Sequence, residues 1–227
     1  MSVVPTRPNR ITLAAVNVGT PDLLPTADGR AVYSGIAKQP LAAGTTRWLS
    51  LLNLAGDGQA DLTVHGGVDK AVYAYPSEHL EQWRADLGEA DLGPAPFGEN
   101  LGTIGALEHE VAIGDRWTWG GAVLEVCQPR RPCFKLGLHR RRGDVAAMLL
   151  RTGRCGWYLR VLEPGAVPVD GPLDVEAHDP AGLTVADAHA AMGDRRLEQR
   201  DLVECLVAHP ALAEEWRRPL QARLGGR

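Results

Sequence analysis

The chain has 227 residues, a formal net charge of −4 and 44% hydrophobic residues. This mild acidity excludes a broadly basic nucleic-acid-binding surface. No apolar run reaches the ~20 residues that cross a membrane as a helix. The start, Met1-Ser-Val-Val-Pro-Thr-Arg7, lacks the apolar core of a signal peptide, so a reduced, cytoplasmic protein is expected. The length allows a real core, with a soft prior of one domain of ~100–200 residues and a smaller appendage.

In chain order, Ile11 to Val18 is apolar and β-branched and predicts a strand, followed by a turn-rich loop from Pro21 to Gly29. Val32 to Ile36 predicts a second strand, with Lys38 just beyond it, and Trp48 to Leu54 a third, closed by Gly56-Asp-Gly58. Val72 to Tyr75 predicts a fourth. Leu80, Trp83 and Leu87 then recur at helical spacing until Gly88. Val111 to Ile113, Arg116 to Trp119 and Ala122 to Val126 predict three short strands, the last two joined at Gly120-Gly121 by a two-residue hairpin. Asp144 to Leu150 predicts a helix, and Tyr158 to Leu162 and Leu173 to Glu176 predict strands. So many short strands predict an α+β, predominantly β fold with a barrel-like core. The character changes near Ala181. Three helices follow: from the Thr184 cap to Met192, from Leu197 to Val207, and from Ala211 to Arg218 with Pro210 at its first turn. The chain thus divides into a β-rich core, 1–180, and a three-helix segment, 181–227.

The chemistry concentrates in Gln128-Pro-Arg-Arg-Pro-Cys-Phe-Lys-Leu136. Pro129 and Pro132 lack amide hydrogens and fix their own φ, so Arg130, Arg131 and Cys133 are expected on a stiff, non-helical connection. A single thiol is presented among Arg130, Arg131 and Lys135, and nearby cations favour the thiolate, the form that attacks electrophiles and binds soft metals. The competing reading is a buried structural cysteine. The four cysteines show no CxxC pair and no zinc spacing. Cys155, in Thr152-Gly-Arg-Cys-Gly-Trp157, is the rival nucleophile, and that loop is a candidate to bring Arg154 to a cleft. Cys127 reads as a strand residue and Cys205 as helix core.

A second constellation is Val64-His-Gly-Gly-Val-Asp-Lys-Ala71. Gly66 and Gly67 allow close approach of backbone to a ligand, and His65 is placed to donate to an anion or to position a proton. Alone, such a histidine is more often structural, and Lys70 reads as a solvated charge. In Pro96-Phe-Gly-Glu-Asn-Leu101, Asn100 offers one amide side chain, with a self-capping turn as the plain alternative. Arg140-Arg141-Arg142, against an acidic background, favours a small anionic ligand over a polyanion. GxSxG and GxxxxGK[ST] motifs and an HExxH zinc helix are absent from the sequence.

Taken in order, Val64–Ala71, Tyr75-Pro-Ser-Glu-His79, Phe97-Gly-Glu-Asn-Leu101, Gly114-Asp115 and Gln128–Leu136 resemble the MOSC domain, in particular its YiiM-like branch of stand-alone bacterial proteins. The resemblance runs from about Lys38 to Glu176, with a tail similar to the branch's three-helix segment. It implies a β-rich MOSC fold in which Cys133 coordinates the molybdenum of a pterin-based cofactor. It also implies reduction of N-hydroxylated compounds, hydroxylaminopurine-type base analogues included. By position, Lys38, His65 and Cys133 match the branch's catalytic group, and Asn100 and Arg130 fall in motifs expected to line the same pocket. Soft thiolate suits molybdenum, and an anionic cofactor tail needs cations and free amides, for which Lys38, Arg130, Arg131, Lys135 and the Gly66-Gly67 backbone are candidates. No ferredoxin-like domain accompanies these motifs, so a separate flavin or iron–sulfur reductase is the expected electron donor. Apolar residues on the helical tail offer a surface for a homodimer. Two alternatives stand: a non-catalytic carrier of cofactor or of persulfide sulfur on Cys133, and a metal-free Cys133–His65 hydrolase or transferase.

Overall fold

The computed structural model describes residues 7–26, 28–60 and 66–226. Seven strands close into a barrel in the order β12–β8–β9–β10–β6–β7–β1, with β1 (Arg10–Val18) returning to β12 (Pro172–Ala177). The other members are β6 (Val72–Pro76), β7 (Leu101–Ile104), β8 (Arg116–Trp119), β9 (Ala122–Pro129) and β10 (Trp157–Glu163). Neighbours are antiparallel except β6 and β7, which run parallel. Closure leaves the ring without a free edge. Trp119 pairs with Ala122 across Gly120-Gly121, as the hairpin signal predicts.

Strand β6 shows how the core is divided. All five of its residues are buried, yet Val72 and Ala74 join the main cluster while Tyr73 and Tyr75 join a second one. This is the two-residue alternation of a strand packed on both faces. The main cluster holds Trp117, Trp119, Trp157 and Leu124, with Val185, Leu206, Trp216 and Leu220 of the C-terminal helices in the same cluster. Those helices are α4 (Val185–Gly193), α5 (Arg200–Ala208) and α6 (Glu214–Gly225). The second cluster joins Tyr73, Tyr75 and Phe97 to α1 (His79–Leu87), α2 (Phe134–Arg140) and α3 (Val145–Thr152) through Trp83, Leu136 and Leu149. Each fully buried large apolar side chain contributes roughly 1.5–3 kcal/mol.

Several boundaries differ from expectation. The loop Pro21 to Gly29 contains β2 (Asp22–Pro25), paired with β3 (Ala31–Ser34) as a hairpin beside the barrel. The expected strand Trp48 to Leu54 ends early: β5 (Thr46–Leu49) pairs with β11 (Gly165–Pro168), and the chain then turns so that Leu49 bridges Leu54. Val111 to Ile113 is buried but forms only an isolated bridge, Ala112 to Thr184. A two-residue strand, β4 (Gln39–Pro40), pairs with the end of β1. The Thr184 capping box forms with Asp187. Helix α6 starts at Glu214, later than Pro210, and continues through Pro219.

Candidate functional site

The barrel strand β9 ends at Pro129 and α2 begins at Phe134, leaving Arg130 to Cys133 as the expected non-helical link. Cys133 is half-buried and extended (φ −122°, ψ 174°), and its carbonyl accepts the Leu136 amide at 3.0 Å, which starts the helix. The Arg130 amide donates to the Gly156 carbonyl at 3.1 Å. Gly156 has φ +63°, and a Cβ there would meet the Ala74 carbonyl oxygen at 2.3 Å, so glycine alone lets this loop reach the strand end.

Beside this link lies a cavity of about 360 Å³. Its wall brings together Lys38, Asn100, Arg130, Arg131, Cys133 and Lys135, six of the residues singled out from the sequence. Gly66 and Gly67 are not part of that wall, and the Gly67 amide donates to Gln59 Oε1 at 2.8 Å. His65 lies outside the described residues.

One side of the cavity is a closed polar network. Lys38, whose side chain is 7% exposed, pairs through Nζ with Asp57 Oδ1. The same oxygen accepts the Gly19 amide at 2.9 Å, and Asp57 Oδ2 accepts Asn100 Nδ2 at 2.9 Å. Asn100 Nδ2 also donates to the Asn17 carbonyl at 3.2 Å, while Asn100 Oδ1 accepts the Tyr73 amide at 3.1 Å. Asn100 therefore ties together four separate segments instead of capping its own turn. Burial lowers the Lys38 pKa from its usual range, against the opposing pull of Asp57. Glu99, next in the chain, is pushed up to about 7 by burial, with Arg130 and Lys38 drawing it back.

The other side is an aromatic and cationic floor. The Arg130 guanidinium lies 5.2 Å from the Tyr73 ring centroid. Tyr73 and Tyr158 rings sit 5.1 Å apart. Arg130 Nη1 and Gln128 Oε1 are buried and have no hydrogen-bond partner among the described residues. Such groups are costly to leave unpaired. At the rim, Lys135 Nζ donates to the Tyr33 carbonyl at 3.0 Å, and Lys70 Nζ pairs with Glu215 Oε2 of α6 at 2.5 Å. Lys70 is thus a wall residue and not a solvated charge, and Trp216 stands next to it in the wall.

The remaining cysteines separate clearly. Cys127 and Cys155 are fully buried and their thiols are driven strongly upward in pKa by burial, so neither is a ready nucleophile. Cys205 is exposed on α5, where Val203 and Leu206 take the inward positions expected of it. Arg154 does not reach the cavity wall: it stacks over Trp83 at 4.2 Å and pairs with Asp86. Asp57, Glu99, Gln128, Tyr73 and Glu215 were not singled out from the sequence. Gln128 and Glu99 each lie inside a sequence motif, Gln128–Leu136 and Phe97–Leu101, and Asp57 lies in the Gly56-Asp-Gly58 turn. No described helix is long and apolar enough to cross a membrane.

A closed seven-strand barrel with one half-buried cysteine at a cationic cavity defines a class, and comparison with known proteins agrees with it. The MOSC domain model matches residues 61–174. Protein YiiM of Escherichia coli is 40% identical over 177 residues, 77% of this chain and 78% of that one. The crystal structure of YiiM from Geobacillus stearothermophilus superposes with a TM-score of 0.78 at 31% identity, covering 94% of this chain and 99% of that one. A protein named "Reductase" from Gibberella moniliformis is 33% identical over 159 residues, 69% of this chain but 28% of the longer protein. The chain belongs to the MOSC domain family, in its YiiM-like branch. It is therefore a domain of a family related to the molybdenum cofactor.

Proposed function

We propose that this protein is a molybdenum-cofactor-dependent reductase of N-hydroxylated compounds, hydroxylaminopurine-type bases among them. One observation carries the reading. A half-buried thiol, Cys133, shares a cavity with a buried guanidinium nitrogen of Arg130 that lacks a partner. That set fits the group: a soft thiolate for molybdenum, and fixed cationic donors for an anionic cofactor tail. The relative named a reductase supports redox chemistry in proteins of related sequence.

In this reading Cys133 holds the metal, and Arg130, Arg131 and Lys135 hold the anionic tail. When bound, the cofactor supplies two electrons to R–NHOH, which with two protons becomes R–NH2 and water. Lys38 is the described proton donor at the site. Burial lowers its pKa and makes its proton easier to give, while Asp57 and Asn100 fix where the ammonium stands. His65 is a second proton donor on its sequence motif alone. The Tyr73 and Tyr158 rings, tilted 37° to each other, offer aromatic surface for a planar substrate. Electrons come from a separate flavin or iron–sulfur protein.

The test is metal and pterin content of protein made in cells able to assemble the cofactor, with Cys133→Ala alongside. Wild-type protein should carry near-stoichiometric molybdenum and reduce benzamidoxime to benzamidine with a chemical reductant. The variant should lose both, with at least a hundredfold fall in rate on the scale of other lost catalytic groups. Molybdenum in a protein that turns over no N-hydroxylated substrate would indicate a carrier instead.

A further inference from the structure

The C-terminal helices reach the cavity through α6, and the reductase reading leaves that contact unused. Among the described residues the wall carries five cations, Lys38, Lys70, Arg130, Arg131 and Lys135, against two acids, Asp57 and Glu215. Asp57 is buried and fixed by Lys38, Gly19 and Asn100. Glu215 is different. It lies in the first turn of α6, its side chain is 42% exposed, and it pairs with Lys70, whose side chain is 12% exposed. Burial pushes the Tyr158 pKa up, Lys70 draws it back and Glu215 adds to the rise, so both charges act on a residue of the same wall.

The two partners are anchored unequally. Lys70 ends the short turn Val68–Lys70, in which Asp69 pairs with Arg160 at 2.9 Å and the Asp69 carbonyl accepts Gln128 Nε2 at 3.1 Å. The Lys70 carbonyl accepts Gln59 Nε2 at 3.1 Å. These bonds keep Lys70 at the wall whatever its counter-charge. Glu215 has water within reach and sits at the positive end of α6, which favours its carboxylate without Lys70. Helix α6 does not depend on the pair either: the Ala213 amide donates to the Cys127 carbonyl at 3.0 Å, and Trp216 and Leu220 are buried. An ion pair with one exposed partner contributes little, so a dianion with several acceptor oxygens outcompetes a single carboxylate for the ammonium.

We propose that Glu215 is a stand-in anion: it holds Lys70 in the ligand-free cavity and is displaced by a phosphate-type group of the bound ligand, which Lys70 then binds. The C-terminal segment thereby sets the anion affinity of a site otherwise built by the barrel. The inference rests on the reductase reading only for the identity of the ligand. Two sources share the chemistry: the anionic tail of the cofactor, or the phosphate of an N-hydroxylated nucleotide substrate.

The probe is inorganic phosphate, titrated by calorimetry at low ionic strength into protein from cells that cannot make the cofactor. Four proteins are compared: wild type, Glu215→Gln, Glu214→Gln, and Glu215→Gln combined with Lys70→Gln. Removing the competing carboxylate should tighten phosphate binding by about fivefold, the weight of one half-exposed ion pair. Adding Lys70→Gln should then weaken it by about tenfold, because the phosphate loses a cation that it contacts. Glu214, one residue earlier and paired with Arg217 and Arg218 instead, reads the general field of the helix, and its removal should change affinity less than about twofold. An equal gain from Glu214→Gln, no gain from Glu215→Gln, or no loss on adding Lys70→Gln would each overturn the inference. So would wild-type protein that takes up no phosphate at millimolar concentration. Protein from cells that make the cofactor tells the two sources apart. Loaded protein that no longer takes up phosphate assigns the site to the cofactor tail; loaded protein that binds it as before assigns it to the substrate. Wild-type protein without molybdenum or turnover sinks the reductase reading and leaves the phosphate result standing.

Discussion

The two sides of the cavity are built on opposite terms. Around Lys38, the polar groups pair within the protein: Asp57 accepts from Lys38, Gly19 and Asn100, and Asn100 uses both its amide hydrogens and its oxygen. Around Gln128 and Arg130, two buried polar atoms are left over although their residues are otherwise anchored. Satisfied burial stabilises a scaffold, whereas unsatisfied burial costs stability until something arrives to pair with it. The difference divides the wall into a part whose polar groups pair with one another, holding Lys38 in place, and a part that keeps two unpaired buried atoms. Stability and binding measurements should then separate along the same line.

The largest stability effect should come from breaking the closed side. Asp57→Ala leaves a buried ammonium without its counter-charge, and removing one partner of a buried pair costs roughly 3–5 kcal/mol. Urea unfolding of the ligand-free variant should show a loss of that size; a loss below about 1 kcal/mol would mean the network is not the scaffold described here.

A second effect is set by pH. Glu99 holds its proton in the folded state up to about 7, whereas the ordinary value is 4.5. Between those values the folded protein binds the extra proton, so stability falls as pH rises from about 4.5 to about 7 and levels off above. The total drop is on the order of 3 kcal/mol from the size of the shift. Lys38, lowered by burial, contributes with the opposite sign as pH rises through its folded value, so the informative quantity is the difference between wild type and Glu99→Gln. That difference should shrink from pH 8 toward pH 5; parallel pH profiles would remove Glu99 from the account.

The sequence made the framework of this comparison readable, but not its polarity. The apolar segment Ala122 to Val126, the glycine pair of the hairpin and the proline-flanked Cys133 are local signals, and each has its expected counterpart. Strand β7 was hidden because Phe97-Gly-Glu-Asn-Leu101 carries turn residues, and its pairing with β6 on one side and β1 on the other makes it a strand. Helix α2 was hidden by the prolines that precede it: they exclude helix at Arg130 and Arg131 but say nothing of Phe134 onward. Asp57 read as the middle of a glycine turn, since its three donors come from Gly19, Lys38 and Asn100, far from it in the chain. Whether a glutamine oxygen is paired is decided by which carbonyl its amide nitrogen faces, and the Asp69 carbonyl lies 59 residues away. Long-range pairing, and not residue type, determines which side of the cavity is closed.

The smallest stability effect, and the sharpest contrast, is expected at Arg130. Arg130→Met in the ligand-free protein loses the contact with Tyr73, but it also removes a buried guanidinium nitrogen that has no partner among the described residues. These terms oppose each other at about 1–3 kcal/mol apiece, and methionine fills much of the same apolar volume, so the net change should lie within about 1 kcal/mol. The same variant should lose affinity for inorganic phosphate, the simplest stand-in for the anionic group that Arg130 is proposed to hold, by about tenfold or more at low ionic strength. Unfolding curves and phosphate titration on one preparation decide it. A variant destabilised as much as Asp57→Ala would put Arg130 with the scaffold. One that is stable but binds phosphate as wild type does would leave its unpaired nitrogen without a ligand to explain it.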